Sequence, residues 1–316
     1  MRLALAGCDT GALSRALAAQ CLAGRQVLLV GDSIMRYAYY QLVLWLVTGD
    51  WAPVPAAPCD FHHYWPDFNA YYAECAARTR GAEICSCFRV GDMAQAETHY
   101  FFGGAARVTF VFTEGTRPFV AARQHLDWLN VTCGATGAPC AQAGCAPAAC
   151  TFDPPAGPLL AVYAALPHFA AVAGAVAARL PVDVAVVNSG FHSQLWEEEL
   201  SATVDALAGA LRSAAARAGA PPPALLWKST TAASNPNFVS FDHARERAAF
   251  EALLAPDGWR LFDAHALTAH PSLAAAATDL QFYDGIHLRP AVNRGVNEAL
   301  LLDLCFVDGA PLRGGG

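Results

Sequence analysis

The sequence predicts an α/β fold built on a central parallel sheet. Two observations carry that expectation. Five short apolar runs recur along the chain, near 26–30, 107–113, 182–188, 224–229 and 259–264, and stretches of helical period separate most of them. The runs are continuously apolar rather than alternating, the pattern of parallel strands covered on both faces.

Taken in order, Thr10 is placed to cap a first helix in which Leu13, Leu17 and Cys21 recur every four residues, with Gly24 ending it. The run 26–30 follows directly. Gly31-Asp32-Ser33 then opens a helix over 34–47, stopped by Thr48-Gly49, and its apolar stretch 42–47 implies burial on every face. Amphipathic helices are expected at about 196–218 and 241–254, closed by Gly219-Ala220-Pro221 and Pro256-Asp257-Gly258. A last helix starts near Pro290, a residue suited to a first helical turn, and reaches Cys305. Segment 159–178 reads as buried helix rather than a membrane span, because Pro167-His168 interrupts it and alanine transfers poorly to lipid.

Region 52–150 breaks this regularity with aromatics, prolines and eight of the 11 cysteines. Sheet elements flank it on both sides, so it reads as an insertion on the sheet's rim within a single domain of 1–316. Cys133, Cys140, Cys145 and Cys150 have six, four and four residues between them, and no C-x2-C knuckle of a zinc ribbon is present. Disulfides are therefore expected there, and Asn130-Val131-Thr132 is a glycosylation sequon of the same compartment.

Composition narrows the partners. With 55% apolar residues the chain is not a disordered one. A net charge of −7 without any run of Lys or Arg argues against nucleic acid and anionic lipid, which both require a basic field. No metal is expected, since His62 and His63 are adjacent and diverge on an extended segment. Neither a phosphate-cradling Gly loop nor a dinucleotide fingerprint occurs, so no cofactor is expected. The start, Met1-Arg2-Leu3-Ala4-Leu5-Ala6, is broken by Gly7-Cys8-Asp9 and lacks the form of a signal peptide.

Ser33 is the candidate nucleophile, because a serine at a strand-to-helix turn presents its hydroxyl at the carboxyl edge of a parallel sheet. The same tripeptide also reads simply as a turn glycine and a helix cap. Asp284-Gly285-Ile286-His287 offers a base and its orienting carboxylate across a tight turn, or else an ordinary Asp-Gly turn followed by a surface histidine. Asn188, at the end of the run 182–188, is a candidate oxyanion donor or a turn former, and Gly115 is a second backbone donor or a plain turn glycine. Asp263 with His265 is the alternative pair, disfavoured because residues two apart on an extended segment share a face but rarely touch. His192 is either an acceptor contact or a packed loop residue. Arg36 either pairs with Asp32 or binds a substrate oxygen. The segment 61–72 is dense in aromatics that suit sugar stacking or a local core.

Together these residues resemble the SGNH hydrolases, and more closely their PC-esterase branch: the trichome-birefringence-like, Cas1-type and NXPE-type O-acetyltransferases. Cys8-Asp9 and the block Gly31-Asp32-Ser33 with Arg36 look like that branch's Cys-Asp and Gly-Asp-Ser-x-x-Arg elements. Asn188 with Gly190 is similar to its Asn-Thr-Gly block, although Phe191 intervenes before His192, and Asp284 and His287 fall on its Asp-x-x-His. Pro290, Asn297 and Cys305 echo the ending of the NXPE type.

The resemblance implies an SGNH-type three-layer sandwich and serine-dependent O-acyl transfer, with Ser33, Asp284 and His287 catalytic and with Gly115 and Asn188 in the oxyanion hole. It further implies an acetyl donor as co-substrate, a polysaccharide or glycan acceptor, and the Golgi lumen, with a membrane anchor missing from this chain. A carbohydrate acyl-esterase using the same residues is the alternative within enzymes. A catalytically inactive glycan-binding protein is the alternative outside them.

Overall fold

The structure is a computed structural model, and it describes residues 4–5, 8–9, 14–48, 98–103, 106–112, 182–188, 197–234, 241–269, 286–288 and 290–306. A short antiparallel pair, β1 (Ala4–Leu5) and β2 (Cys8–Asp9), precedes α1 (Arg15–Leu22). The main sheet then begins with β3 (Gln26–Gly31), which leads through Asp32 into α2 (Ser33–Thr48). The hairpin β4 (Thr98–Gly103) and β5 (Ala106–Phe112) follows, then β6 (Val184–Val187), α3 (Glu197–Ala218) and β7 (Ala224–Lys228). Next come α4 (His243–Ala249), a π-helical turn (Phe250–Leu254), β8 (Arg260–Phe262), α5 (Ala264–Thr268) and α6 (Pro290–Phe306).

The strand order is β4-β5-β3-β6-β7-β8, parallel throughout except that β4 runs antiparallel at the edge. Alternation along each strand divides the core in two. Val27 and Leu29 of β3, Val184 and Val186 of β6 and Leu226 of β7 pack with α1, α2 and α6. Leu28, Val30, Ala185, Val187, Leu225 and Trp227 pack with α3, α4 and the π-helical turn. Two helical layers thus cover one sheet, the α/β sandwich expected from the sequence, and burial on both faces explains why the strands read as unbroken apolar runs. The chain turns from β3 into a helix on one face, and from β6 into a helix on the other. The carboxyl ends of β3 and β6 therefore lie side by side where the winding reverses.

Three local expectations are corrected. The first helix is capped by Ser14, whose side chain accepts from Leu17 N–H, rather than by Thr10, which lies outside the described residues. In that frame Leu17 is exposed while Ala18 and Leu22 are buried, because the helix docks on α2 and α6 along the 18–22 edge. Cys21 is not merely an apolar helix position, since it forms a disulfide with Cys305, Cα to Cα 5.6 Å. Finally, β4, which the sequence reading did not anticipate, pairs antiparallel with β5 at the sheet's edge, while β5 itself forms over the expected run 107–113. The segments 61–72 and 159–178, the sequon Asn130 and the cysteines Cys133, Cys140, Cys145 and Cys150 lie outside the described residues. Among the described residues no helix is long and apolar enough to cross a membrane.

Candidate active site

Gly31, Asp32 and Ser33 make the strand-to-helix turn. A Cβ on Gly31 would stand 2.7 Å from Cβ of Met35 and 3.2 Å from the carbonyl oxygen of Asn188, so the close approach of β3, α2 and the end of β6 requires glycine. Asp32 is the helix cap: its carbonyl accepts from Arg36 N–H at 3.0 Å and its Oδ1 from Ile34 N–H at 2.9 Å. Ser33 is therefore the first residue of α2. Its own backbone N–H has no intrahelical acceptor, and it stands at the positive end of the helix dipole.

Ser33 Oγ lies 2.7 Å from Nε2 of His287, a residue 254 positions away in sequence. For the hydroxyl to donate, Nε2 presents its lone pair and Nδ1 carries the proton. Two ties deliver the histidine to the serine. Asn297 of α6, fully buried, donates from Nδ2 to the carbonyl of Ala38 in α2 at 3.0 Å, and the disulfide fastens the far end of α6 to α1. With α6 fixed on α2, the segment just ahead of Pro290 meets the start of α2. Tyr37, one turn beyond Ser33, packs against the imidazole edge to face, with ring centroids 4.8 Å apart at 77°. The sequence reading missed Tyr37. Its signal was its position four residues after the candidate nucleophile, which puts both side chains on one helix face.

Arg36 is buried, with its guanidinium carbon 5.1 Å from the centroid of the Tyr37 ring. Asn188 is fully buried at the end of β6, beside the last turn of β3, and its backbone N–H donates to Val30 at 2.9 Å. Its Nδ2 donates to the carbonyl of Lys228 at 2.9 Å and to Thr230 Oγ1 at 3.4 Å. Asp284, Gly115 and His192 lie outside the described residues.

A second polar group surrounds the carboxyl end of β7. Lys228 is fully buried, and its Nζ has no hydrogen-bond partner among the described residues. Burial pushes its pKa from 10.5 down to about 8, against the pull of Asp32 and Glu246. Glu246, also buried, accepts from Trp227 Nε1 and from the N–H and Oγ–H of Thr230.

The alternative pair Asp263 and His265 is engaged elsewhere. Asp263 caps α5 by accepting from Ala266 N–H, and it also accepts from Ser229 Oγ and Arg247. His265 stacks on His243 with ring centroids 3.5 Å apart, beside a cavity of about 50 Å³. Burial first, and then the neighbouring His243, hold its pKa below the ordinary histidine value. The histidine that meets Ser33 is His287.

No family model matches the chain, and no curated protein matches it. Among solved structures, the inhibitor-bound form of an aryl esterase from M. smegmatis is similar over 89% of this chain and 98% of its own, with 14% sequence identity and a TM-score of 0.39.

Proposed function

We propose that the protein is a serine-dependent acyl-transfer enzyme of SGNH type that moves an acyl group, in the first instance acetyl, onto a carbohydrate hydroxyl. The observation that carries this reading is the 2.7 Å contact between Ser33 Oγ and His287 Nε2 at the carboxyl edge of the sheet. In the first half-reaction Ser33 Oγ attacks the carbonyl carbon of the donor while its proton passes to His287 Nε2. The tetrahedral intermediate collapses as the imidazolium returns that proton to the leaving group. An acyl-serine ester remains. In the second half-reaction His287 takes the proton of an acceptor hydroxyl, the new ester bond forms, and Ser33 is regenerated with its proton.

Asp284 would orient His287 through Nδ1–H and stabilise the imidazolium. The oxyanion would be met by the N–H groups of Ser33 and Gly115 and by the Asn188 carboxamide, each donor worth about 3 kcal/mol in the transition state. Arg36 and His192 are assigned to acceptor contacts. The glycan acceptor, the acetyl donor and a Golgi location rest on the resemblance of the motif blocks. The Cys21–Cys305 disulfide supports an oxidising compartment.

The test supplies an activated acetyl ester with and without a neutral oligosaccharide. Acetylated oligosaccharide, absent with Ser33→Ala, is the expected result. Free acetate as the sole product makes the protein an esterase. No turnover at all, from folded protein, makes it a binding protein.

A further inference from the structure

We propose that Glu246, acting through Thr230, is a positioning residue that sets the carboxamide of Asn188 for oxyanion stabilisation. The proposal rests on the acyl-transfer reading above and deepens it at one donor. The Asn188 amide has two N–H bonds. One is spent on the Lys228 carbonyl at 2.9 Å, a normal hydrogen bond, and the other reaches Thr230 Oγ1 at 3.4 Å, at the weak end of the range.

The polarity of that second contact is dictated from behind. A carboxylate only accepts, so the Thr230 hydroxyl hydrogen points at Glu246 Oε1, 3.1 Å away, and a lone pair of the hydroxyl is left for Asn188. Glu246 is held in place by the Thr230 N–H at 3.0 and 3.1 Å and by Trp227 Nε1 at 3.3 Å, and it is 2% exposed. The three groups form a one-way relay from amide to hydroxyl to carboxylate.

The cost of this arrangement is visible at its end. Asn188 Oδ1 is buried and has no hydrogen-bond partner among the described residues. Turning the amide over would not relieve it, because Oδ1 would then face the Lys228 carbonyl, acceptor against acceptor. The amide is thus fixed as a donor, with one strong bond anchoring it and one long contact that holds its orientation. A developing oxyanion shares that second N–H in a charge-assisted bond while Thr230 keeps the amide turned as a donor. The backbone of Asn188 lies beside the end of β3: a Cβ on Gly31, two residues before Ser33, would stand 3.2 Å from the Asn188 carbonyl oxygen. The Lys228 ammonium, buried near both Asp32 and Glu246, offsets the negative charge at the relay's far end.

The relay is tested by steady-state hydrolysis of p-nitrophenyl acetate, with thermal melts to confirm folding. Thr230→Val should lower kcat by about tenfold with KM changed by less than about twofold, and Thr230→Ser should restore the rate. In an Asn188→Ala background the same Thr230→Val change should cost less than about twofold, because the group it positions is gone. Glu246→Gln, which keeps shape but allows the hydroxyl to reverse, should resemble Thr230→Val and stands in for it if that variant does not fold. An unchanged kcat, or an equal loss with and without Asn188, overturns the relay. Full activity in Ser33→Ala would instead overturn the acyl-transfer reading, a separate outcome.

Discussion

Gly31, Asp32 and Ser33 each meet a different demand at the end of β3: close approach, a helix cap and a presented hydroxyl. From sequence the cap and the nucleophile stood as competing readings of one tripeptide. The geometry shows them to be compatible, since Asp32 supplies the cap and so leaves the Ser33 side chain to His287. Lys228 shows the opposite situation, a residue whose environment no local pattern announced. Its folded pKa of about 8 lies below the ordinary 10.5, because burial penalises the ammonium more than Asp32 and Glu246 favour it. Below about pH 8 the folded protein bears the full cost of a buried charge. Between about 8 and 10.5 the unfolded chain binds more protons than the folded one, so this group's contribution to stability rises with pH. Urea midpoints at about pH 7 and about pH 10 should show the native protein gaining on Lys228→Met across that window. Parallel curves would contradict the burial account.

At the scale of elements, α6 decides where His287 sits. One end is fastened to α1 by Cys21–Cys305, the middle to α2 by Asn297, and His287 lies just before its start. The disulfide closes a loop spanning a sequence separation of 284, so it restricts the unfolded chain severely. Replacing both cysteines by alanine should cost about 2–5 kcal/mol, seen as a lower denaturant midpoint, and an unchanged midpoint would show that the packing of α6 suffices without it. The strands β3, β5, β6, β7 and β8 were legible because burial on two faces leaves an apolar run. The frame of α1 was not, since a four-residue spacing of apolar residues fits more than one face and Ser14 fixes the one that forms. β4 was hidden because Thr98-His99-Tyr100-Phe101-Phe102 lies in an aromatic and cysteine-rich stretch where strand composition does not stand out.

At the scale of the whole molecule, the strand order and the pairing of distant residues create the site. Ser33 and His287 could be picked out as candidates by residue type and position after strands, but their 2.7 Å contact depends on α6 crossing α2. The Cys21–Cys305 pairing and the relay from Glu246 to Asn188 join residues that no periodicity links, whereas Tyr37 is linked to Ser33 by helical spacing alone and its contact with His287 is set by the tertiary fold. The central claim is that Ser33 is a nucleophile activated by His287. Its most direct measurement is covalent labelling by a fluorophosphonate, followed by peptide mapping of the folded protein. The account predicts a single label on Ser33 in the native protein and none in His287→Ala under the same conditions. A folded native protein that takes no label, or a label that persists in His287→Ala at the native rate, would contradict it.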